Sequence, residues 1–175
     1  MSAGFVAVQL LTSAVAGAQG AVEPALKAAF LYNFVKFTEW RAEAVASDAS
    51  IRLCVLGDEA VETALEQTVK DRQVGGRSLT VVRVNVDDAL GPCRVLYVTG
   101  LDRRRVAQVL ERIKAAPVFT VSDLDGFAAF GGVGQLFVEN GKMKFALNPT
   151  SAQRAGLRLS SKLLALAKIV KDESP

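Results

Sequence analysis

Hydrophobic residues recur along the chain with two different periods, and the change from one period to the other predicts a sheet flanked by helices. Over residues 24–40 the apolar positions are spaced by three and four, which is the repeat of about 3.6 residues that an amphipathic helix shows. Lys27 is assigned to the polar side of this helix. The predicted strands that follow are 51–56, 79–84, 93–99 and 117–121, and the predicted helices between them are 60–69 and 106–113. Strands that alternate with helices of this length favour parallel βαβ units.

The C-terminal third departs from that alternation. Residues 135–139 and 142–147 alternate in polarity on either side of Asn140 and Gly141, and an Asn-Gly pair favours the two-residue turn of a β-hairpin. The sheet is therefore predicted to be mixed.

Cap residues predict two short helices near the C-terminus. Thr150 with Gln153 has the form of a capping box, and Ser160 is the predicted cap of the final helix. Residues 171–175 are predicted to fray. We expect the final helix to direct three side chains into the core, those of Leu163, Leu166 and Val170.

The length and hydrophobicity of the chain indicate one domain. At 175 residues and 50% hydrophobic, the chain can bury one sizeable core but is short for two domains. We therefore expect a single α/β domain with a mostly parallel sheet, a C-terminal β-hairpin and flanking helices.

The N-terminal segment indicates export. No charged side chain precedes Glu23, and Ala16, Gly17 and Ala18 follow an apolar run with the small-residue pattern that a signal peptidase cleaves. The prediction is a signal peptide over residues 1–20 and a domain over 21–175. The alternative is an apolar first helix of the domain itself.

The two cysteines fit an exported protein. Cys54 and Cys93 both lie in predicted strands, so they could meet across neighbouring strands. An oxidising compartment would allow a disulfide. Two buried free thiols, which pack as small hydrophobic groups, remain the alternative.

Several function classes lack the residues that they require. The chain has no histidine, which removes the usual base of a catalytic triad and the commonest metal ligand. The glycines of residues 131–134 precede a predicted strand, whereas a dinucleotide-binding loop follows one. Neither a catalytic residue, a metal site nor a cofactor is predicted.

The charge distribution gives no nucleic-acid signal. The net charge is +3, and basic and acidic residues are interspersed apart from the arginines at 103–105. These arginines are interpreted as a solvated helix face, with contact to a phosphate or lipid headgroup as the alternative.

Polar residues at the carboxyl ends of predicted strands are the candidate ligand groups, because α/β sheets bind ligands at that edge. Asp58 follows the first of these strands and is interpreted as a helix cap. Ser122 and Asp123 end the fourth, where they would orient a ligand or form a local turn.

The segment 26–40, which reads LKAAFLYNFVKFTEW, closely resembles the opening motif of the YfiR-like family of periplasmic regulators. Further similar blocks follow in the same order, at 53–57, 76–77, 93, 120–123, 127–132, 145–148 and 155–164. The resemblance implies a Rossmann-like domain that represses a membrane-bound diguanylate cyclase by contact with its periplasmic domain. Such a repressor lowers cyclic-di-GMP and biofilm formation, and an outer-membrane lipoprotein relieves the repression by sequestering it.

The resemblance also assigns particular residues. It implies a disulfide between Cys54 and Cys93, and Arg158 matches a family arginine associated with small-ligand binding, although Ser160 stands where the best-known member of the family has a histidine. The alternative function is therefore a periplasmic module that binds a nucleotide or an amino acid through Arg158, Ser160, Ser122 and Asp123. A homodimer is left open, and no nucleic-acid partner is expected.

Overall fold

The computed structural model describes residues 15–40 and 50–172, with side chains from residue 22 onwards. Residues 1–14 of the predicted signal peptide lie outside this range, and the backbone of its remainder is helical. Cleavage of that segment stays a prediction.

Helices and strands alternate through most of the described chain. The helices are α1 (Val15–Lys36), α2 (Glu59–Val69), α3 (Arg103–Ile113), α4 (Pro149–Arg154) and α5 (Ser161–Leu166). The strands are β1 (Thr38–Trp40), β2 (Ile51–Leu56), β3 (Gln73–Val74), β4 (Arg77–Arg83), β5 (Val95–Val98), β6 (Phe119–Ser122), β7 (Gly134–Glu139), β8 (Lys142–Leu147), β9 (Leu157–Leu159) and β10 (Lys168–Ile169).

The main sheet of the described residues has eight strands in the order β10-β8-β7-β6-β5-β2-β4-β3. Its centre, from β4 to β7, is parallel, and β8 returns antiparallel to β7. Asn140 and Gly141 adopt positive φ angles of 53° and 71° at that turn, as the hairpin prediction requires. The structure thus confirms a mainly parallel α/β sheet with a C-terminal hairpin.

Both faces of this sheet are covered, so its central strands are apolar on both sides. All of β5 is buried, which is typical of a parallel strand between two helical layers. Tyr97 of β5 belongs to the core beneath α1 and α2, and Leu96 belongs to the core beneath α3. On the first face Phe34 of α1 stacks on Phe119 of β6 with ring centroids 4.9 Å apart.

The first helix differs from its prediction at both ends. It begins at Val15 rather than at Pro24, and it ends at Lys36 because the residues after it form β1. This strand pairs antiparallel with β9, and the indole Nε1 of Trp40 donates to the carbonyl of Pro117 at 2.9 Å. The helical spacing continues through Trp40, so only these long-range partners define the end of the helix.

The C-terminal caps were predicted in part. The Oγ of Ser160 accepts from the amide of Leu163 at 3.2 Å, which confirms the cap of α5. The capping box at Thr150 is wrong, because Asn148 caps α4 through its Oδ1 and Pro149 takes the first helical position.

The inward face predicted for the final helix is also wrong in part. Leu163 is buried, but Leu166 is 77% exposed and ends the helix. Val170 lies beyond α5, because residues 168–169 pair with β8 instead of continuing the helix.

Candidate functional site

The carboxyl ends of β2, β5 and β6 meet at one edge of the sheet, where α/β folds bind their ligands. Gly57 follows β2 with a φ of 94°, and a Cβ at this position would lie 2.2 Å from the carbonyl oxygen of Thr99. The ends of β2 and β5 therefore approach each other at a distance that only glycine allows.

A cluster of polar side chains lies at this edge, and we call it the Asp123 cluster: Glu23, Lys27, Tyr97, Thr99 and Asp123. The Oδ2 of Asp123 accepts from the Nζ of Lys27 at 2.8 Å and from the hydroxyl of Tyr97 at 3.0 Å. Its Oδ1 accepts from the Oγ1 of Thr99 at 2.8 Å. Glu23 contacts the same Lys27 Nζ at 2.8 Å. The cluster therefore joins α1 to the ends of β5 and β6.

The cluster is charged although it is largely removed from water. The side chain of Lys27 is 9% exposed and that of Asp123 is 31% exposed. Burial favours the neutral amine of Lys27, but its hydrogen bonds to Asp123 and Glu23 outweigh burial and raise its pKa. Burial likewise opposes ionisation of Asp123, but hydrogen bonds from Lys27 and Thr99 outweigh it and lower the pKa of this carboxyl. At neutral pH the two groups form an ion pair.

Tyr97 completes the cluster as a neutral donor. Burial, and then the nearby charge of Asp123, raise the pKa of its phenol. Both oxygens of Asp123 accept hydrogen bonds from within the protein, and one of the donors is Lys27 of α1. The cluster therefore fixes the position of α1 on the sheet.

Lys27 and Tyr97 were not identified from the sequence. The assignment of Lys27 to the polar side of its helix is wrong, since the residue is buried. It precedes the buried Leu31 and Phe34 by four and seven residues, which places it on the same face of the helix. That spacing was the signal from which its burial could have been predicted.

The Ser122 side chain is fully buried beside this cluster. Its Oγ accepts from the amide of Leu124 at 3.0 Å, which is the local turn that the sequence offered as an alternative to ligand contact. Asp58, at the same edge, caps α2 as predicted, because its Oδ1 accepts from the amide of Val61 at 3.0 Å.

Arg158 and Ser160 lie at the other end of α1. Arg158 is on β9, its side chain is 84% exposed, and its Nη1 is 3.9 Å from Glu39 of β1. A helix rises about 1.5 Å per residue, so Lys27 is roughly 14 Å along the axis from Lys36, where α1 ends just before β1. The structure thus divides the four predicted ligand residues between two separate places.

Cys54 and Cys93 form a disulfide with a Cα–Cα distance of 5.8 Å. Both residues are buried in the core beneath α3. The bond confirms the pairing that the family resemblance implies and excludes the alternative of two free thiols.

The predicted basic segment forms the exposed first turn of α3. Arg104 and Arg105 line an open groove of about 1050 Å³, together with Asp87, Gln108 and Arg112 among others. The guanidinium of Arg103 lies 4.6 Å from the ring centroid of Phe130. Contact of these arginines with a phosphate stays a prediction.

Two further kinds of site were sought in the described residues. Residues 15–40 and 50–172 contain no group of acidic or cysteine side chains arranged to hold a metal ion. In the same ranges no helix is both long and apolar enough to cross a membrane.

A protein-family model described as YfiR/HmsC-like matches residues 24–168. No curated protein matches the chain significantly in sequence.

Two solved structures align with parts of the chain. A conserved domain protein from Vibrio cholerae O1 biovar eltor aligns with a TM-score of 0.54 and 12% identity, over 85% of this chain and 60% of that one. An ABC domain in complex with L-Trp from Streptococcus pneumonia aligns with a TM-score of 0.48 and 10% identity, over 69% of this chain and 55% of that one. The chain thus spans about 60% of the length of the Vibrio protein, and the likeness to it shows the α/β fold alone.

Proposed function

The chain belongs to the YfiR/HmsC-like family, and from this membership we propose that it represses a membrane-bound diguanylate cyclase from the periplasm by protein contact. The observation that carries the proposal is the family match over residues 24–168, which includes α2, α3 and the whole described sheet except the last residue of β10. Repression would lower cyclic-di-GMP and biofilm formation. An outer-membrane lipoprotein that sequesters the repressor would restore both.

The chemistry of the Asp123 cluster gives no support to a catalytic role. A general acid or base needs a proton-transfer group within reach of a substrate and with a pKa near the working pH. Here the pKa of Asp123 is lowered, that of Lys27 is raised, and both oxygens of the carboxylate accept internal hydrogen bonds.

The disulfide supports a periplasmic location. Disulfides persist in oxidising compartments and are rare in the cytosol, where thiols are kept reduced. The Cys54–Cys93 bond is buried in the core beneath α3, as a structural disulfide would be.

Deletion of the gene and complementation from a plasmid test the proposal. We expect deletion to raise cellular cyclic-di-GMP and biofilm, and the full chain to restore both. The matched control is the same chain without residues 1–20, which should stay in the cytoplasm and fail to complement.

Physical contact is tested separately. The purified chain should retain the periplasmic domain of a diguanylate cyclase encoded beside it, and should not retain that of an unrelated cyclase. Unchanged cyclic-di-GMP on deletion, together with no retention, would overturn the proposed function.

A further inference from the structure

The carboxylate of Asp172 is held by side chains of α4 and of its cap residue. The Arg154 Nη1 donates to Oδ2 at 2.5 Å, and its Nη2 donates to Oδ1 at 3.2 Å. The Nδ2 of Asn148 donates to the same Oδ1 at 2.7 Å, and the hydroxyl of Ser151 lies 3.5 Å from it. Residues 171–175 were predicted to fray; the prediction is wrong for Asp172, which these contacts hold, and residues 173–175 lie outside the described residues.

The core orients Asn148 and Ser151, whereas Arg154, whose side chain is 54% exposed, is held by Ser151 and by Asp172 itself. Asn148 is fully buried, and its amide group also donates to the carbonyl of Ala128 at 2.7 Å. Its Oδ1 accepts from the amide of Ser151, whose side chain is also buried, at 3.0 Å. The Nη2 of Arg154 contacts the Ser151 hydroxyl at 2.9 Å. These contacts would persist if Asp172 moved away.

Asp172 itself is attached less firmly to the fold. Its side chain is 33% exposed, and it follows β10, which pairs with β8 through only two residues. The last backbone hydrogen bond of this segment in the described chain joins the Val170 amide to the Leu147 carbonyl. The site is therefore built into the domain, whereas its occupant comes from a terminal segment.

An apolar cavity of about 430 Å³ adjoins this carboxylate site between α3 and α4. Ser151 and Arg154 line the cavity and also contact Asp172. The apolar part of the lining includes Leu110, Ile113, Phe130 and Val133. This volume lies within the range of small-molecule pockets, which combine an apolar lining with a few oriented polar groups.

We propose that Arg154, Asn148 and Ser151 form a binding site for a small organic carboxylate with an apolar body, and that Asp172 occupies this site as an internal competitor. The ligand carboxylate would take the place of the Asp172 carboxylate, and its apolar body would enter the cavity. Binding would release the C-terminal segment from α4. The site lies apart from the Asp123 cluster and from Arg158, and the inference does not depend on the proposed repression.

The charges of the site favour a monoanion. The guanidinium of Arg154 forms the two-point contact that is typical of arginine with a carboxylate, and the other donors are a neutral amide and a neutral hydroxyl. Glu111 and Lys114, which also line the cavity, pair with each other. One positive charge is thus available for one negative charge.

Calorimetric titration with phenylacetate tests this proposal, with the neutral phenylacetamide as the control ligand. The Asp172→Asn variant removes the competing charge and keeps the size of the side chain, and Asp172→Ala removes the competitor completely. An internal competitor acts at a high effective concentration, so both variants should bind phenylacetate about tenfold or more tightly than the unmodified chain. Phenylacetamide should bind none of them measurably.

The donor side is tested with Arg154→Gln in the Asp172→Asn background, where phenylacetate binding should be lost. The matched control is Arg52→Gln, which removes an exposed guanidinium on β2 and should leave binding unchanged. Urea unfolding of each variant establishes that it is folded. The proposal is overturned if folded Asp172 variants bind phenylacetate no more tightly, if phenylacetamide binds equally well, or if Arg154→Gln retains the gain.

Discussion

At the level of single residues, Lys27 and Asp123 fasten α1 to the carboxyl edge of the sheet with charges that water reaches only in part. Their 2.8 Å contact is supported by Tyr97, Thr99 and Glu23. When one partner of such a pair is removed, the charge of the other is left buried without compensation. The resulting loss of stability exceeds the free energy that the contact itself contributes. The stability of the domain should therefore depend on this pair.

The Asp123→Asn substitution should lower the free energy of unfolding at neutral pH by about 2 kcal/mol. Because the pKa of Asp123 is lowered by folding, its contribution is complete above the ordinary aspartate pKa of about 3.9. The contribution is lost as the pH falls through the lower pKa of the folded state. Urea unfolding at pH 7, 4 and 2.5 should show the two proteins converging in acid.

Glu139→Gln is the matched control for this substitution, because it removes a carboxylate whose partner, Lys144, is on the surface. Solvent screening makes such exposed pairs nearly neutral, so the free energy of unfolding should hardly change. Equal effects of Asp123→Asn and Glu139→Gln at pH 7 would contradict the role given to the cluster.

Gly57 provides a second test at the residue scale. The Gly57→Ala variant would place a Cβ 2.2 Å from the Thr99 carbonyl oxygen and hold alanine at a φ of 94°. Strain and overpacking together should cost about 3 kcal/mol or more. Gly141→Ala is the control, because its φ is also positive, at 71°, but nothing lies within 4 Å of the added Cβ. The control should cost about 1 kcal/mol in urea unfolding, and similar losses in both variants would refute the close approach of β2 and β5.

At the level of elements, the parts of the fold that local pattern determines were predicted, and the parts that distant partners determine were not. Local patterns of apolar residues predicted all of these elements: a short apolar run indicated β2 and β5, a helical repeat indicated α2, and alternation about the Asn-Gly turn indicated the β7–β8 hairpin. The pairing of β1 with β9 depends on residues far apart in the chain, so the local pattern alone predicts that the helix continues through β1.

The same distinction applies to the candidate sites. Asp123 could be found because it ends a predicted strand. Its partner Lys27 and the Arg154–Asp172 contact each join segments far apart in sequence, and no local pattern marks such a contact. The sequence carries one hint to the first of these contacts, which is a lysine placed on the apolar stripe of its helix.

The disulfide joins β2 to the turn that precedes the adjacent strand β5, and its loss is predicted to destabilise the domain without changing the fold. Closing a loop across the 39-residue separation of Cys54 and Cys93 stabilises a domain by about 4 kcal/mol in the chain-entropy model. The Cys54→Ala/Cys93→Ala variant should therefore lose about 2–4 kcal/mol in urea unfolding, because native strain reduces the ideal value.

Reduction with dithiothreitol supplies the control for this prediction. It should lower the stability of the unmodified chain to that of the double variant, and it should leave the double variant unchanged, since the chain has no other cysteine. An unmodified chain whose unfolding midpoint does not move on full reduction would contradict the stabilising role.

At the level of the whole molecule, the helical layer over one face of the sheet depends on α1, and the buried side chains of α1 begin at Lys27 and Ala28. Before them Val22 is 55% exposed and Leu26 is 42% exposed, so these two apolar side chains contribute little to the core. Pro24 lies inside the helix, where proline removes a backbone hydrogen bond, whereas proline is favoured in a first helical turn. A helix that began just before Pro24 would therefore keep all of the buried contacts that the structure describes for α1.

Removal of residues 1–20 should consequently leave the domain of residues 21–175 as stable as the full chain, within about 0.5 kcal/mol in urea unfolding. A chain that begins at residue 29 loses Lys27 and leaves the Asp123 carboxylate without its ion pair, so it should be destabilised by about 2 kcal/mol or more. Mass spectrometry of the exported protein gives the natural start, which the signal prediction sets near residue 20. A natural start beyond residue 27, or a large loss of stability on removing residues 1–20, would contradict this division of the chain, because either result would place contacts that attach α1 to the sheet within the export segment.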